Sequence, residues 1–261
     1  MMRAVFALVI VMGLGLALSA PASGQTRDPV LVPEISQHDI VLRQGFTGTE
    51  LLLYGAVFDP RRRAGNTGDY DIVVVLKGPS RAIRLREKEQ IFGMWVNAES
   101  MAYRSVPSFY ALASSRPVAD IVDTRTAAIY ELGLEYLQLS PSGAIDPSEQ
   151  DRFSAGLVDL LIRQKLYAQF DGAVTISKGV LYTARLPIPS NVIPGRYVAE
   201  TFAITDGRVV ASETTTVQVR KEGFEEAVEQ GAENYALFYG LLAVGFSLGM
   251  GWLAGRLFAL V

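Results

Sequence analysis

The side chains able to do acid–base or metal chemistry in this chain are few and scattered. His38 is the single histidine, and none of the 261 residues is cysteine. A thiol nucleophile, a disulfide framework and a cysteine-based zinc site are therefore excluded, and a centre of two or more histidines cannot be assembled in one chain. His38 stands in Ser36-Gln37-His38-Asp39-Ile40, where the adjacent aspartate could orient the imidazole as a base. No positioned nucleophile accompanies it, so a histidine on the surface or at a strand edge is the simpler account. Asp69 and Asp71 flank Tyr70 and could pair as carboxylates or help to hold calcium, although Asp and Gly ahead of a strand more often mark a turn. No Gly-rich phosphate loop, GxSxG elbow, HExxH pair or EF-hand loop is present. The expectation is a protein that is not an enzyme, with no catalytic residue, metal or cofactor.

Charge says more than any motif. Arg61, Arg62, Arg63, Lys77, Arg81, Arg84, Arg86 and Lys88 stand against Asp69, Asp71 and Glu87, a local excess of +5 in a chain of net charge −3. Clustered like charge raises the local concentration of anions, so this segment is a candidate site for a small anion, anionic lipid headgroups or an acidic partner surface. The plain alternative is an arginine-rich loop followed by solvent-facing strand positions. With 24 basic and 27 acidic residues overall, nucleic acid is a poor partner.

The elements that must hold these residues are mostly strands. Glu50 to Phe58 and Asp71 to Lys77 are apolar, β-branched or aromatic runs of strand length, bounded by Gly, Pro and Asp. Ile83 to Glu89 alternates Ile83 and Leu85 with Arg84 and Arg86, the pattern of a half-buried strand. Met94 to Asn97 and Met101 to Val106 add short β segments. Ala173 to Ser177, Val180 to Leu186, Arg196 to Thr205 and Arg208 to Arg220 resume the pattern, with Asp206-Gly207 suited to a tight hairpin. The fold class expected is mainly β: an immunoglobulin-like sandwich over residues 25–220, with a barrel as the alternative. A helical insertion interrupts it at about residues 126–168. Ile129, Leu132, Gly133, Tyr136 and Leu137 fall on one helical face. Asp146-Pro147-Ser148-Glu149 supplies an N-cap, a proline at the first helical position and a glutamate at N3, ahead of a helix expected to reach about Tyr167.

The two ends give an address. Arg3, an unbroken run of apolar and glycine residues from Ala4 to Leu18, and the small residues Ser19 to Gly24 read as a signal peptide over residues 1–24, cleaved after Ala22 or Gly24. Tyr235 to Phe258 is a 24-residue run whose only charge is Arg256, and as a helix it extends about 36 Å, enough to span a bilayer. Residues 221–234, with Glu225, Glu226, Glu229 and Glu233, form a polar juxtamembrane helix or stalk, and residues 259–261 a cytoplasmic end. Export of the N-terminus and Arg256 near the end orient the span with the bulk of the chain in the periplasm of a bacterial inner membrane. Within the span, Gly245 and Gly249 form one small-residue face, while Gly240, Ser247, Gly251 and Gly255 collect on another. Two such faces suit a helix packed between neighbours, so these six residues are candidate helix-partner contacts.

Gly45-Phe46-Thr47-Gly48-Thr49-Glu50-Leu51, Leu53-Tyr54-Gly55-Ala56, Ile72 to Pro79, Gly93-Met94-Trp95-Val96-Asn97, Val106-Pro107-Ser108-Phe109-Tyr110 and Pro194-Gly195-Arg196-Tyr197 together resemble a family. It comprises alphaproteobacterial exported proteins of unknown function, with a signal peptide, a β-rich periplasmic domain and one C-terminal span. The resemblance extends into the span through Leu237 to Gly240 and Gly251-Trp252-Leu253. Its motifs carry no known catalytic residue. Such proteins are often encoded beside permeases of the sulfite/organosulfonate exporter type, which implies a polytopic membrane partner. The expected role is that of a single-pass accessory protein, with Trp95 and Phe109 packing in its core or rim. The alternative is a periplasmic anion- or lipid-binding module that uses the Arg61 to Lys88 segment.

Overall fold

The computed structural model describes residues 29–43, 45–59, 70–143, 146–221 and 236–258. Thirteen strands and four α-helices are described: β1 Val30–Ile35, β2 Asp39–Leu42, β3 Gly48–Phe58, β4 Asp71–Lys77, β5 Ser80–Ile91, β6 Met94–Pro107, β7 Tyr110–Ser114, α1 Val118–Ile121, α2 Thr124–Tyr130, β8 Ser140–Pro141, α3 Pro147–Arg163, β9 Tyr167–Phe170, β10 Val174–Ser177, β11 Leu181–Pro189, β12 Gly195–Thr205, β13 Arg208–Lys221 and α4 Ala236–Phe258. The protein is mainly β.

The strands form a four-stranded sheet in the order β1-β3-β11-β10 and a six-stranded sheet in the order β2-β13-β12-β4-β7-β9. β11 alternates perfectly, burying Tyr182, Ala184, Leu186 and Ile188 on one face, as expected of a strand with one wet side. β4 is different: Ile72 to Leu76 are all fully buried, because it lies inside the larger sheet and is covered on both faces. Tyr182 of β11 and Thr201 of β12 meet between the sheets, and buried residues from Leu31 to Val219 form one continuous core. Near the start of β12, the Tyr197 hydroxyl donates to the Ile193 carbonyl at 2.9 Å. Burial pushes its pKa up to about 12, against a smaller opposing effect of the hydrogen bond to Ile193.

A third sheet, β5-β6-β8, departs from the larger one. The β4–β7 ladder runs into it almost without a break. Lys77 pairs with Tyr110, Gly78 N–H donates to Phe109 O at 2.8 Å, Ser108 N–H donates to Pro79 O at 3.0 Å, and Ser80 then pairs with Pro107. The result is a long two-stranded arm. Met94 to Pro107 is a single strand, where two short segments are expected from the sequence. Its pairing with β5 is interrupted by register shifts at Arg81/Ile83 and Glu87/Lys88, which break the alternation on which the sequence reading depends.

α3 confirms the start signal, since the Asp146 carboxylate accepts from Ser148 N–H at 2.8 Å and Pro147 opens the helix. Phe153, Leu157 and Leu161 are buried at intervals of one turn. The helix ends at Arg163 rather than near Tyr167. Tyr167 instead starts β9, drawn into the sheet by parallel pairing with Tyr110. The expected helical face from Ile129 to Leu137 is also corrected. α2 stops at Tyr130, Glu131 is left-handed at φ 53° and Gly133 has φ 137°. Tyr110 decides this from afar: its hydroxyl donates to Glu131 O at 2.7 Å and accepts from Gly133 N–H at 3.0 Å. Leu132 is buried and Ile129 exposed, and the insertion begins at Val118 instead of about residue 126.

α4 is a continuous helix of 23 residues. Seventeen consecutive positions, 240–256, have described side chains. Among the described residues no helix is long and apolar enough to cross a membrane. The expected signal peptide, most of the juxtamembrane segment and residues 259–261 lie outside the described residues.

Candidate functional site

The candidate acid–base residues hold the fold or sit in water. His38 Nε2 lies 3.2 Å from Glu34 Oε1, with both side chains largely exposed. Its chain neighbour Asp39 turns to Arg220 at 3.1 Å. Asp71 is a latch. Its carboxylate accepts from Arg116 Nε at 2.9 Å, from Arg116 at the second nitrogen at 2.6 Å and from Ser115 Oγ at 2.8 Å. Partial burial works to raise its pKa, but those hydrogen bonds and the guanidinium charge outweigh it and hold the carboxyl below its ordinary value. Asp69 lies outside the described residues, and among the described residues no cluster of three or more acidic or histidine side chains could hold a metal ion.

The basic segment divides. Lys77, at the end of β4, is committed to Glu131 at 2.7 Å and Glu200 at 3.4 Å, and all three line a polar cleft of about 520 Å³ with Tyr130, Phe202 and Thr214. Arg61, Arg62 and Arg63 lie outside the described residues. Arg81, Arg84, Arg86 and Lys88 are brought together on the arm. The extra residue at Glu87/Lys88 is Ala98 of β6, so alternation along β5 still puts Arg84, Arg86 and Lys88 on one face of it, and none of the ion pairs among the described residues engages any of the three. The opposite face of the arm is clamped by α3. Tyr103 is buried and its hydroxyl lies 3.0 Å from Ser154 Oγ, while Arg152 bridges Glu87, at 2.5 Å, and Glu99.

Beyond that clamp the arm ends in residues whose role is not evident from the sequence. Ile91, Phe92, Met94, Trp95 and Val96 are all exposed, Phe92 at 98% and Trp95 at 67%. Trp95 is therefore corrected from a core or rim residue to a tip residue, whereas Phe109 is in the core. The tip is a two-residue turn with Phe92 at φ 49° and Gly93 at φ 80°, the primed hairpin geometry that favours Asn-Gly. A bulky residue is uncommon in the left-handed region and strained there. The signal in the sequence was a Gly between apolar neighbours, but periodicity alone does not tell a buried strand from an exposed one.

The small residues of α4 face open space. A Cβ added at Gly240, Gly245, Gly249, Gly251 or Gly255 would meet nothing within 4 Å, and the Ser247 hydroxyl bonds back to Ala243 O at 2.9 Å.

The family described as "Putative transmembrane protein (Alph_Pro_TM)" has a model that matches residues 30–259. The chain belongs to that family. The match takes in the β domain, the arm and all of α4, so the family is defined by the combination rather than by the domain alone. A membrane association follows from the family's description. No curated protein matches the chain.

Proposed function

We propose that this protein is a non-enzymatic accessory protein of the bacterial inner membrane. In this reading α4 crosses the bilayer once, residues 1–24 are a signal peptide, and the β domain stands in the periplasm beside a polytopic partner, an anion exporter of the sulfite type being the candidate that the family resemblance implies. The observation that carries it is α4 itself. Its backbone helix of 23 residues extends about 35 Å. Every described large apolar side chain on it is exposed, from Leu253 at 51% to Leu237 at 74%, and Arg256 in its last turn is the one charge in the run. A helix that is apolar all round needs a medium or a neighbour to cover it. Gly245 and Gly249 on one side, and Gly240, Ser247, Gly251 and Gly255 on another, allow two close backbone approaches.

The sandwich is read as immunoglobulin-like. What supports this is the split of strands into β1-β3-β11-β10 and β2-β13-β12-β4-β7, which parallels the ABED and GFCC′ sheets of that fold, together with the Tyr197 hydroxyl bonded back to the chain at the start of β12. A small-anion site spread over residues 61–88 is the weaker reading, since Lys77 is already neutralised by two carboxylates.

Purification of the full chain from native membranes in mild detergent tests the docking. It should bring down a polytopic membrane protein, and Gly251→Leu with Gly255→Leu should release it while leaving the chain in the membrane. Recovery of no membrane partner, or no effect of the paired substitution, would sink the reading.

A further inference from the structure

We infer that the tip of the β5–β6 arm inserts into the headgroup layer of an anionic bilayer, the same membrane that α4 is proposed to cross. The inference rests on that membrane reading and adds a second contact to it.

Three observations converge. The first is chemical. The tip presents Phe92, Met94 and Trp95 on a hairpin end, exposed at 98%, 67% and 67% with no wall of protein around them among the described residues, and Phe and Trp are enriched where water meets lipid. A groove would imply a ligand or a peptide, whereas a free apolar end fits a deformable medium. Phe92 in the left-handed turn position has no neighbour among the described residues that rewards the strain, which points to a reward outside the domain.

The second is the spacing of charge. Trp95 pairs with Gln90, which places it about 7 Å behind Phe92 and on the same face as Arg84, Arg86 and Lys88. Lys88 follows about 13 Å behind the tip. The polar layer of each leaflet is about 5–8 Å deep. With Phe92 at the acyl boundary, Trp95 therefore lies among the headgroups, and Lys88 reaches phosphate from their outer edge. Glu87 and Glu99 are engaged by Arg152, and Glu89 is the remaining acid near the tip.

The third is topological. Lys77 is level with Val198, Val198 with Thr216, and Gly195 with Val219, while a Cβ on Gly195 would lie 2.8 Å from Pro79 Cγ. The arm therefore leaves the larger sheet at the end where β13 finishes, 15 residues before α4. The last ion pair on the arm is at Glu87, so the final five residues, about 16 Å, project past the α3 clamp.

The chain holds two tryptophans, Trp95 at the tip and Trp252 in α4, which makes the test direct. Full-length Trp252→Phe protein is reconstituted into vesicles of phosphatidylcholine and phosphatidylglycerol, with brominated phosphatidylcholine as quencher. Trp95 emission should shift to the blue and be quenched by the brominated lipid. It should regain its unquenched intensity in the Phe92→Ser variant and in the Lys88→Glu variant. The Trp95→Phe protein reports Trp252 in parallel. Quenching of Trp252 with Trp95 unquenched and open to iodide overturns the inference and leaves the anchor standing, as a protein-docking tip would do. Failure to quench Trp252 overturns the membrane reading itself. Trp95 quenching that survives both tip variants overturns the assigned residues.

Discussion

At the residue scale, the polar side chains that look chemical in the sequence turn out to tie strands together. Asp71 joins the first residue of β4 to Ser115 and Arg116, just past β7. Its folded pKa is lowered, so the linkage has a definite sign. The latch stabilises the protein above the ordinary carboxyl value of 3.8, and that contribution is lost as the pH falls through the lower folded value. Asp71→Asn should therefore cost about 1 kcal/mol near neutrality and flatten the acid limb of the stability profile. Thermal unfolding of the full chain in detergent, followed from neutral pH to below pH 4, checks both parts. Such latches are hidden in sequence because Asp71 and Arg116 are 45 positions apart, and nothing in either neighbourhood advertises the other. The basic excess of Arg81 to Lys88 was legible, since charge needs no partner to be counted. That Lys77 would leave this group for Glu131 and Glu200 was not, because the register of β4 against β12 selects its neighbours.

At the scale of elements, local rules succeeded where the deciding contacts are local. The Asp206-Gly207 turn has both residues at positive φ, and Asp146-Pro147 starts α3 as its side chains require. They failed at Ile129 to Leu137, where a tyrosine hydroxyl from β7 holds Glu131 and Gly133 out of helix. They failed also along the arm, where Pro79 and Pro107 read as strand ends although the ladder passes both. The arm depends on α3, whose Leu157 is fully buried. Leu157→Ala should destabilise the domain by about 3 kcal/mol, the usual range for emptying such a site. It should also loosen the clamp, so that proteolytic cleavage within Arg84 to Glu99 speeds up more than cleavage at Asp206-Gly207. Cleavage that rises equally at both would mean that the arm is not held through this helix.

At the scale of the whole molecule, the mainly β class was legible because strand-length runs and turn residues are written in order along the chain. That Ala236 to Phe258 forms one continuous helix was legible for a simpler reason: an uninterrupted apolar run is a one-dimensional property. The order of strands and the paired edges β2–β13 and β7–β9 are products of packing between distant segments. The proposed topology makes its own prediction. A reporter enzyme that is active only after export, fused after Lys221 in place of the remainder of the chain, should be active, and the same fusion lacking residues 1–24 should be silent. Activity of both, or of neither, would contradict it.

The last strand of the domain also decides how the molecule bears load. β13 lies between β12, with which it shares eleven residue pairs, and β2, which runs parallel to it from Asp39 to Leu42. Its hydrogen bonds lie across the strand, so tension applied at Lys221 loads them in shear and all together, rather than opening them one by one as a zipper. A domain tethered through this strand would hold firm against thermal agitation of its support.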